Sequence, residues 1–284
     1  MVKSKIILRK IFNNVNQENK FKLVVHNKNI QNIIGININN YKRYSGRYII
    51  IEIDGKGKEY NGYNDKLLFE GEYIKGKRSK GKEYNEKGKL IYEGEYINNK
   101  KSKGKEYNEE GKLIYEGEYL KGLRNGKGKE YSDYTDKLKF VGEYLNGERN
   151  GKGKEYYNCQ LEFEGEYLNG KRNGKGKEYN YRDKLMFEGE YLNGKRNGKG
   201  KEYDNDKLTF EGEYSNGRRN GKGKEYDNDN LKFEGEYLHG HRNGKGKEFN
   251  FEGELIFEGE LIFEGELIFE GELIFEGEYH DGRR

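Results

Sequence analysis

A motif of seventeen residues recurs along this chain, and the recurrence constrains the fold more than any other feature. Its complete form, Phe-Glu-Gly-Glu-Tyr-Leu-Asn-Gly-Lys-Arg-Asn-Gly-Lys-Gly-Lys-Glu-Tyr, runs from Phe163 to Tyr179. Eight copies begin 23 to 25 residues apart, at Phe69, Tyr92, Tyr115, Phe140, Phe163, Phe187, Phe210 and Phe233. Repetition at a short interval is typical of arrays in which each copy buries its apolar side against its neighbours.

The pattern within each copy predicts a β-hairpin. From Phe163 to Tyr167, aromatic, acidic and glycine residues alternate with a period of two, which is typical of a strand with one packed and one solvated face. Asn169-Gly170 and Asn173-Gly174 tolerate the positive φ that a hairpin loop requires, and the motif then returns as a second strand. Polar linkers between copies predict further turns, so successive hairpins should pair as one antiparallel meander.

The central glycines are interpreted as packing devices. Gly165 stands between two aromatic residues on one face, and its bare backbone leaves room for an aromatic ring from the neighbouring strand. Gly174 and Gly176 could serve the return strand in the same way. Simple alternation, however, places Tyr179 on the face opposite these two glycines, and a bulge would be one way to resolve this.

The composition excludes a large globular core. The chain has 42 Gly, no Pro, no Trp and only 31% hydrophobic residues, which favours a thin and extended architecture. Its 26 Tyr and 14 Phe are placed periodically, unlike those of a disordered chain. We therefore predict an all-β fold, an elongated and twisted antiparallel sheet of stacked β-hairpins.

Two segments of different character flank the array and divide the chain into residues 1–43, 44–249 and 250–284. In the first, apolar residues at helical spacing predict two or three short helices that form an N-terminal α-helical cap. In the last, the hexad Phe-Glu-Gly-Glu-Leu-Ile repeats without a turn or a return strand. This degenerate tract either keeps little order or forms short strands with tight turns, and no dedicated function is assigned to it.

The repeated core resembles the MORN repeat (membrane occupation and recognition nexus). The shared features are Tyr/Phe-Glu-Gly-Glu-Tyr, then Asn-Gly-Lys-Arg-Asn-Gly, Gly-x-Gly and a final aromatic residue, over about Tyr44 to Phe249. This chain departs from the family in having Tyr in place of the frequent Trp, and lysines around the paired glycines. The resemblance implies a hairpin ribbon used for scaffolding, dimerisation or membrane association, without enzymatic activity.

Residues 1–43 loosely resemble an F-box. Ile7-Leu8 and Ile11-Phe12 lie where the opening of that helical unit has its apolar pairs, but its usual Pro and Trp are absent. The resemblance implies the alternative function, a ubiquitin-ligase substrate adaptor that uses the repeats to bind protein. The other interpretation is a plain helical cap over the first strand of the array.

The hairpin tips carry the candidate lipid-binding residues. Basic residues cluster at the turn and return strand of each copy, and glutamates occupy the outgoing strand. Free arginines at the tips would meet phosphoinositide or phosphatidylserine head groups, with many weak contacts acting together. The alternative is that the charges form cross-strand pairs that keep the sheet soluble. The candidates are Arg78, Arg124, Arg149, Arg172, Arg196, Arg219 and Arg242.

The second tyrosine of each copy is the candidate protein-binding residue. A single-layer sheet that exposes a row of aromatic rings has the composition of a protein interface. The alternative is that the rings stack on each other along the sheet. The candidates are Tyr144, Tyr167, Tyr191, Tyr214 and Tyr237.

Several functional classes are excluded by charge and residue type. The 55 basic and 51 acidic residues give a net charge of only +4, and the interleaved glutamates would repel nucleic-acid phosphates. The single Cys159 excludes an intramolecular disulfide and a cysteine-based zinc site. Paired glutamates recur in almost every copy, which one active site would not need. No catalytic, cofactor-binding or metal-binding residue is therefore predicted.

The first twelve residues are too charged and their apolar run is too short for a signal peptide or a membrane span. We expect a cytoplasmic protein with at most peripheral membrane contact. The predicted function is a non-enzymatic interaction scaffold without cofactors. Its expected partners are proteins and anionic membrane surfaces, with homodimer formation as a further option.

Overall fold

The computed structural model describes residues 28–34, 37–263 and 273–278. The chain divides into two compact units, Met1–Lys112 and Leu113–Arg284. Both units are built of antiparallel β-hairpins, which confirms the all-β fold class. The boundary between them falls inside the repeat array, and the predicted division at residues 43 and 249 stays a prediction.

The described part of the first unit begins with two short helices, α1 (Lys28–Ile34) and α2 (Ile38–Ser45). The side chain of Asn37 accepts hydrogen bonds from two backbone N–H groups at the start of α2, and Gly46 ends the helix with a φ of 71°. Six strands follow. They are β1 (Arg47–Ile51), β2 (Lys56–Asn61), β3 (Leu67–Ile74), β4 (Lys77–Tyr84), β5 (Leu90–Ile97) and β6 (Lys100–Tyr107).

The second unit contains fourteen described strands. They are β7 (Leu113–Leu120), β8 (Leu123–Tyr131), β9 (Leu138–Leu145), β10 (Glu148–Tyr157), β11 (Gln160–Leu168), β12 (Lys171–Tyr179), β13 (Leu185–Leu192), β14 (Lys195–Asp204), β15 (Lys207–Ser215), β16 (Arg218–Asp227), β17 (Asn230–Leu238), β18 (His241–Phe249), β19 (Leu255–Phe263) and β20 (Leu273–Glu278). Within each unit, consecutive strands pair antiparallel, as the meander predicts.

One face of the sheet holds the core and is called the aromatic face. In the fifth copy, Phe163 is fully buried, and its ring meets Tyr167 edge-on at a centroid distance of 5.7 Å. The same ring meets Tyr191 of the next copy at 5.2 Å. Phe69, Phe140, Phe187 and Phe210 likewise contact one tyrosine of their own copy and one of the next. The rings therefore interlock the hairpins and bury themselves without a second layer.

The glycines make this packing possible. A Cβ atom on Gly176 would lie 2.4 Å from the Cζ atom of Phe163, and one on Gly165 would lie 2.6 Å from the same atom. The ring therefore lies over the bare backbone of its own strand and of the neighbouring strand. This confirms that the central glycines are packing devices.

Each return strand contains a bulge beside the residue that pairs with the second tyrosine. Tyr167 pairs with Arg172 and Gly165 with Gly176, so β12 has two extra residues between these pairs. Asn173-Gly174 lies in this bulge, with Gly174 at a φ of 92°, and not in the hairpin loop as the sequence predicted. The loop itself is Asn169-Gly170, where both residues have positive φ.

Candidate functional site

The seven candidate arginines lie over the aromatic rings and alternate with glutamates, an arrangement here called the arginine–glutamate ladder. The guanidinium of Arg172 lies 4.1 Å from the ring centroid of Phe163. It is paired with Glu155 of the preceding hairpin at 2.5 Å and with Glu178 of its own return strand at 3.3 Å. Burial disfavours the charged guanidinium, but the hydrogen bond and charge of Glu155 outweigh this and raise the pKa of Arg172. The arginine is thus held in place on three sides.

The prediction of free arginines at the hairpin tips is therefore wrong. The side chains of the candidate arginines are only 13% to 26% exposed, and each lies over an aromatic ring and beside glutamates. Their role in lipid binding stays a prediction, without the free guanidinium groups on which it rested. The residues concerned are Arg78, Arg124, Arg149, Arg172, Arg196, Arg219 and Arg242.

The expected exposed row of tyrosines is also wrong. The candidate tyrosines are 3% to 4% exposed, because they are the partners of the phenylalanine rings in the core. Burial raises their pKa values, and the hydroxyl groups of three of them donate to a ladder glutamate, as Tyr214 does to Glu202 at 2.9 Å. The alternative of rings that stack along the sheet is confirmed. The tyrosines are Tyr144, Tyr167, Tyr191, Tyr214 and Tyr237.

The opposite face, here called the charged face, carries alternating rows of lysine and glutamate beside the glycines. Lys154 lies 2.9 Å from Glu164, and Lys177 lies 3.5 Å from Glu188, so that the pairs join successive hairpins. These rows line a trough of about 1760 Å³ along the second unit. The predicted cross-strand Glu/Lys pairing is confirmed on this face.

In the fifth copy, both glutamates of the charged face are also held by the return strand. The hydroxyl of Tyr179 donates to Glu164 at 2.7 Å, and the backbone N–H of Lys175, at the bulge, donates to Glu166 at 3.2 Å. The ammonium of Lys154 and this hydroxyl lower the pKa of Glu164. Burial and the same carboxylate raise the pKa of Tyr179 to about 12.

An exposed set of residues at the hairpin tips was missed by the sequence interpretation and is called the tip stripe. Leu168 follows the second tyrosine of its copy, is 50% exposed, and pairs with the exposed Lys171 across the strands. The aliphatic members are Ile74 and Ile97 in the first unit and Leu120, Leu123, Leu145, Leu168, Leu192 and Leu238 in the second. An apolar residue after the second tyrosine in seven of the eight copies was the available signal.

The remaining predictions concern Cys159, metal binding, membrane-spanning helices and the F-box-like segment. Cys159 is an exposed free thiol. Within residues 28–34, 37–263 and 273–278, no group of three or more His, Cys, Asp or Glu side chains could hold a metal ion. Neither helix in this part of the chain has the length and apolar character needed to cross a membrane. The F-box-like pairs Ile7-Leu8 and Ile11-Phe12 lie outside the described residues.

The hairpin array and its tip stripe define the class of the protein, a repeat protein built as a binding scaffold. The family model described as "MORN repeat" matches six segments, at residues 115–135, 140–158, 163–180, 187–209, 210–232 and 233–249. Residues 115–249 therefore contain six MORN repeats, as the sequence resemblance predicted.

Other comparisons add little to this assignment. A crystal structure of a TarM mutant from S. aureus, in complex with fondaparinux, α-GlcNAc-glycerol and UDP, matches at 15% identity and a TM-score of 0.21. The match covers 55% of this chain and 26% of that chain, and its TM-score is too low to support any argument. No curated protein matches the chain.

Proposed function

We propose that this repeat protein is a non-enzymatic scaffold that binds anionic membrane surfaces through its tip stripe. The observation that carries the proposal is the pairing of Leu168 with Lys171, repeated as Leu192 with Lys195 in the next hairpin. An exposed aliphatic side chain beside a lysine suits the boundary between lipid head groups and acyl chains.

Multivalency would supply the affinity. A basic residue near an anionic surface contributes about 1 kcal/mol, and strand spacing separates successive tips by roughly 10 Å. Contacts of this size are weak singly but act together when they belong to one rigid array. The ladder arginines support the proposal indirectly, because they hold the hairpins that present the tips.

The proposal assigns no catalysis to the repeats. The carboxylates and lysines of the charged face are occupied with one another, and the same arrangement recurs from copy to copy. Protein partners, homodimer formation, a cytoplasmic location and the F-box-like adaptor alternative remain predictions. Capture of a ubiquitin-ligase adaptor protein by the full chain would support that alternative, and absence of capture would dismiss it.

Co-sedimentation with vesicles tests the proposal. We expect the double variant Lys171→Ser/Lys195→Ser to bind phosphoinositide vesicles at least threefold more weakly than the wild-type chain. The matched control is Lys139→Ser/Lys232→Ser, which removes the same charge from two exposed lysines on the same face but at the linker edge. Leu168→Ser should also weaken binding, and Ser215 already occupies this position in the seventh copy.

Rising salt should weaken the binding because exposed charges are screened. Binding that ignores ionic strength would contradict the proposal. Equal losses in the tip variant and the linker-edge control would contradict it as well, since the tips would then have no special part.

A further inference from the structure

Two tripeptides alternate along the charged face and neutralise each other. The acidic triplet is Glu-Gly-Glu, as in Glu164–Glu166 of β11, and the basic triplet is Lys-Gly-Lys, as in Lys175–Lys177 of β12. In register, Glu164 pairs with Lys177 and Gly165 with Gly176. The acidic triplets of β11, β13, β15 and β17 each lie between two basic triplets.

The acidic triplet of β19, Glu258–Glu260, departs from this arrangement. On one side it meets the basic triplet of β18, and Lys247 lies 2.9 Å from Glu258. On the other side it meets β20, where Glu258 is opposite Glu278 and Glu260 is opposite Glu276. Like charges directly opposite each other destabilise a strand pair. The strand β20 contains no lysine and no tyrosine, and its register with β19 has no bulge.

We propose that β19 is an acceptor strand for an extended basic segment of a partner protein, which takes the place of β20. The other strands with an acidic triplet show which sequence such a triplet pairs with. The acidic triplet of β11, for example, pairs with the basic triplet of β12. The segment would carry two lysines separated by a small residue, which face the two glutamates across Gly259. A tyrosine two residues later would donate to Glu258, as Tyr179 does to Glu164.

The basic triplets of the described return strands are already paired. Those of β12, β14, β16 and β18 lie between two acidic triplets, and that of β2 lies between the acidic triplet of β3 and the strand β1, so a second copy would have to open its own sheet to supply one. Residues 251–279 contain five acidic triplets and no basic residue. The charge of the tract therefore favours a basic partner segment over self-association.

A peptide from the chain itself is the appropriate probe. Its sequence is that of residues 171–180, Lys-Arg-Asn-Gly-Lys-Gly-Lys-Glu-Tyr-Asn, and fluorescence anisotropy measures its binding to the full chain. We expect saturable binding that weakens with salt. The same peptide with its Lys-Gly-Lys changed to Glu-Gly-Glu should bind at least tenfold more weakly.

A variant of the chain then locates the site. Glu276→Lys/Glu278→Lys places lysines opposite Glu260 and Glu258, so that β20 itself completes the pairing and peptide binding falls at least fivefold. The matched control Glu148→Lys/Glu162→Lys makes the same change in charge at two exposed positions. Sibling copies carry lysine at both, as Lys171 and Lys232, so this control should fold and bind the peptide normally.

Three results would overturn the proposal. They are equal binding of the basic and acidic peptides, equal binding of the basic peptide by the wild-type chain and by Glu276→Lys/Glu278→Lys, and a loss of peptide binding in the control Glu148→Lys/Glu162→Lys as large as in Glu276→Lys/Glu278→Lys. A wild-type dimer that becomes monomeric in Glu276→Lys/Glu278→Lys would also overturn it, because a second copy would then occupy the strand edge.

Discussion

Replacement of Arg196 with Gln removes one step of the arginine–glutamate ladder and leaves the steps on either side. The guanidinium of Arg196 lies 4.1 Å from the ring centroid of Phe187. It is paired with Glu178 of the preceding hairpin and, at 3.3 Å, with Glu202 of its own return strand. The variant therefore tests whether this arginine holds neighbouring hairpins together.

The expected loss of stability is about 2 kcal/mol. A single hydrogen bond to a charged group contributes about 1.5 to 3 kcal/mol, and a cation–π contact adds roughly 0.5 to 1 kcal/mol. Loss of one partner of a buried pair costs about 3 to 5 kcal/mol when the other charge is left alone. Here Glu178 keeps Arg172 and Glu202 keeps Arg219, so the loss should stay below that range.

Urea unfolding, followed by circular dichroism, measures this loss. The neighbouring Lys195 provides a matched control, because it carries the same charge but is exposed at the tip. Lys195→Gln should change the free energy of unfolding by less than about 0.5 kcal/mol. Equal effects of the two substitutions, or no effect of Arg196→Gln, would refute the structural role of the ladder.

Two further predictions concern the core and the charged face. Gly176→Ala places a methyl group against the Phe163 ring and should lower the free energy of unfolding in urea by about 2 to 3 kcal/mol. The control Gly170→Ala, at a position with a φ of 78° and open space around it, should lower it by about 1 kcal/mol. Equal losses in the two variants would contradict the packing role of Gly176. Burial and a carboxylate partner raise the pKa values of Tyr179 and Tyr203 to about 12 from an ordinary value of 10.0. Since the fold favours their protonated form, this stabilisation should be complete below pH 10.0 and lost as the pH rises to about 12. Tyrosinate absorbance, followed together with circular dichroism, checks this, and ionisation of both groups at their ordinary value would contradict it.

The hairpin array could be predicted from the sequence because its determinants are local. Alternation from Phe163 to Tyr167 fixes the packed face, Asn169-Gly170 supplies the two positive φ angles of the loop, and Gly165 leaves room for a ring. Each of these signals lies within one copy. The structure confirms them at the positions predicted.

The placement of the arginines could not be predicted in the same way. It depends on which residues form the loop, because the two-residue loop Asn169-Gly170 places Arg172 directly opposite Tyr167 on the aromatic face. The sequence alone offers Asn173-Gly174 as further loop residues. The placement also depends on Glu155, which belongs to the preceding copy. The arginines therefore looked free. Because Tyr167 and Arg172 pair across the strands, the tyrosine ring and the guanidinium group belong to one cluster.

Tyrosine nitration, followed by mass spectrometry, tests the central claim that one face of the array is closed by its own rings. The account predicts fast nitration of the exposed linker tyrosines Tyr134, Tyr157 and Tyr181, and strong protection of Tyr144, Tyr167, Tyr191, Tyr214 and Tyr237. Nitration of both sets at similar rates in the folded chain would contradict it.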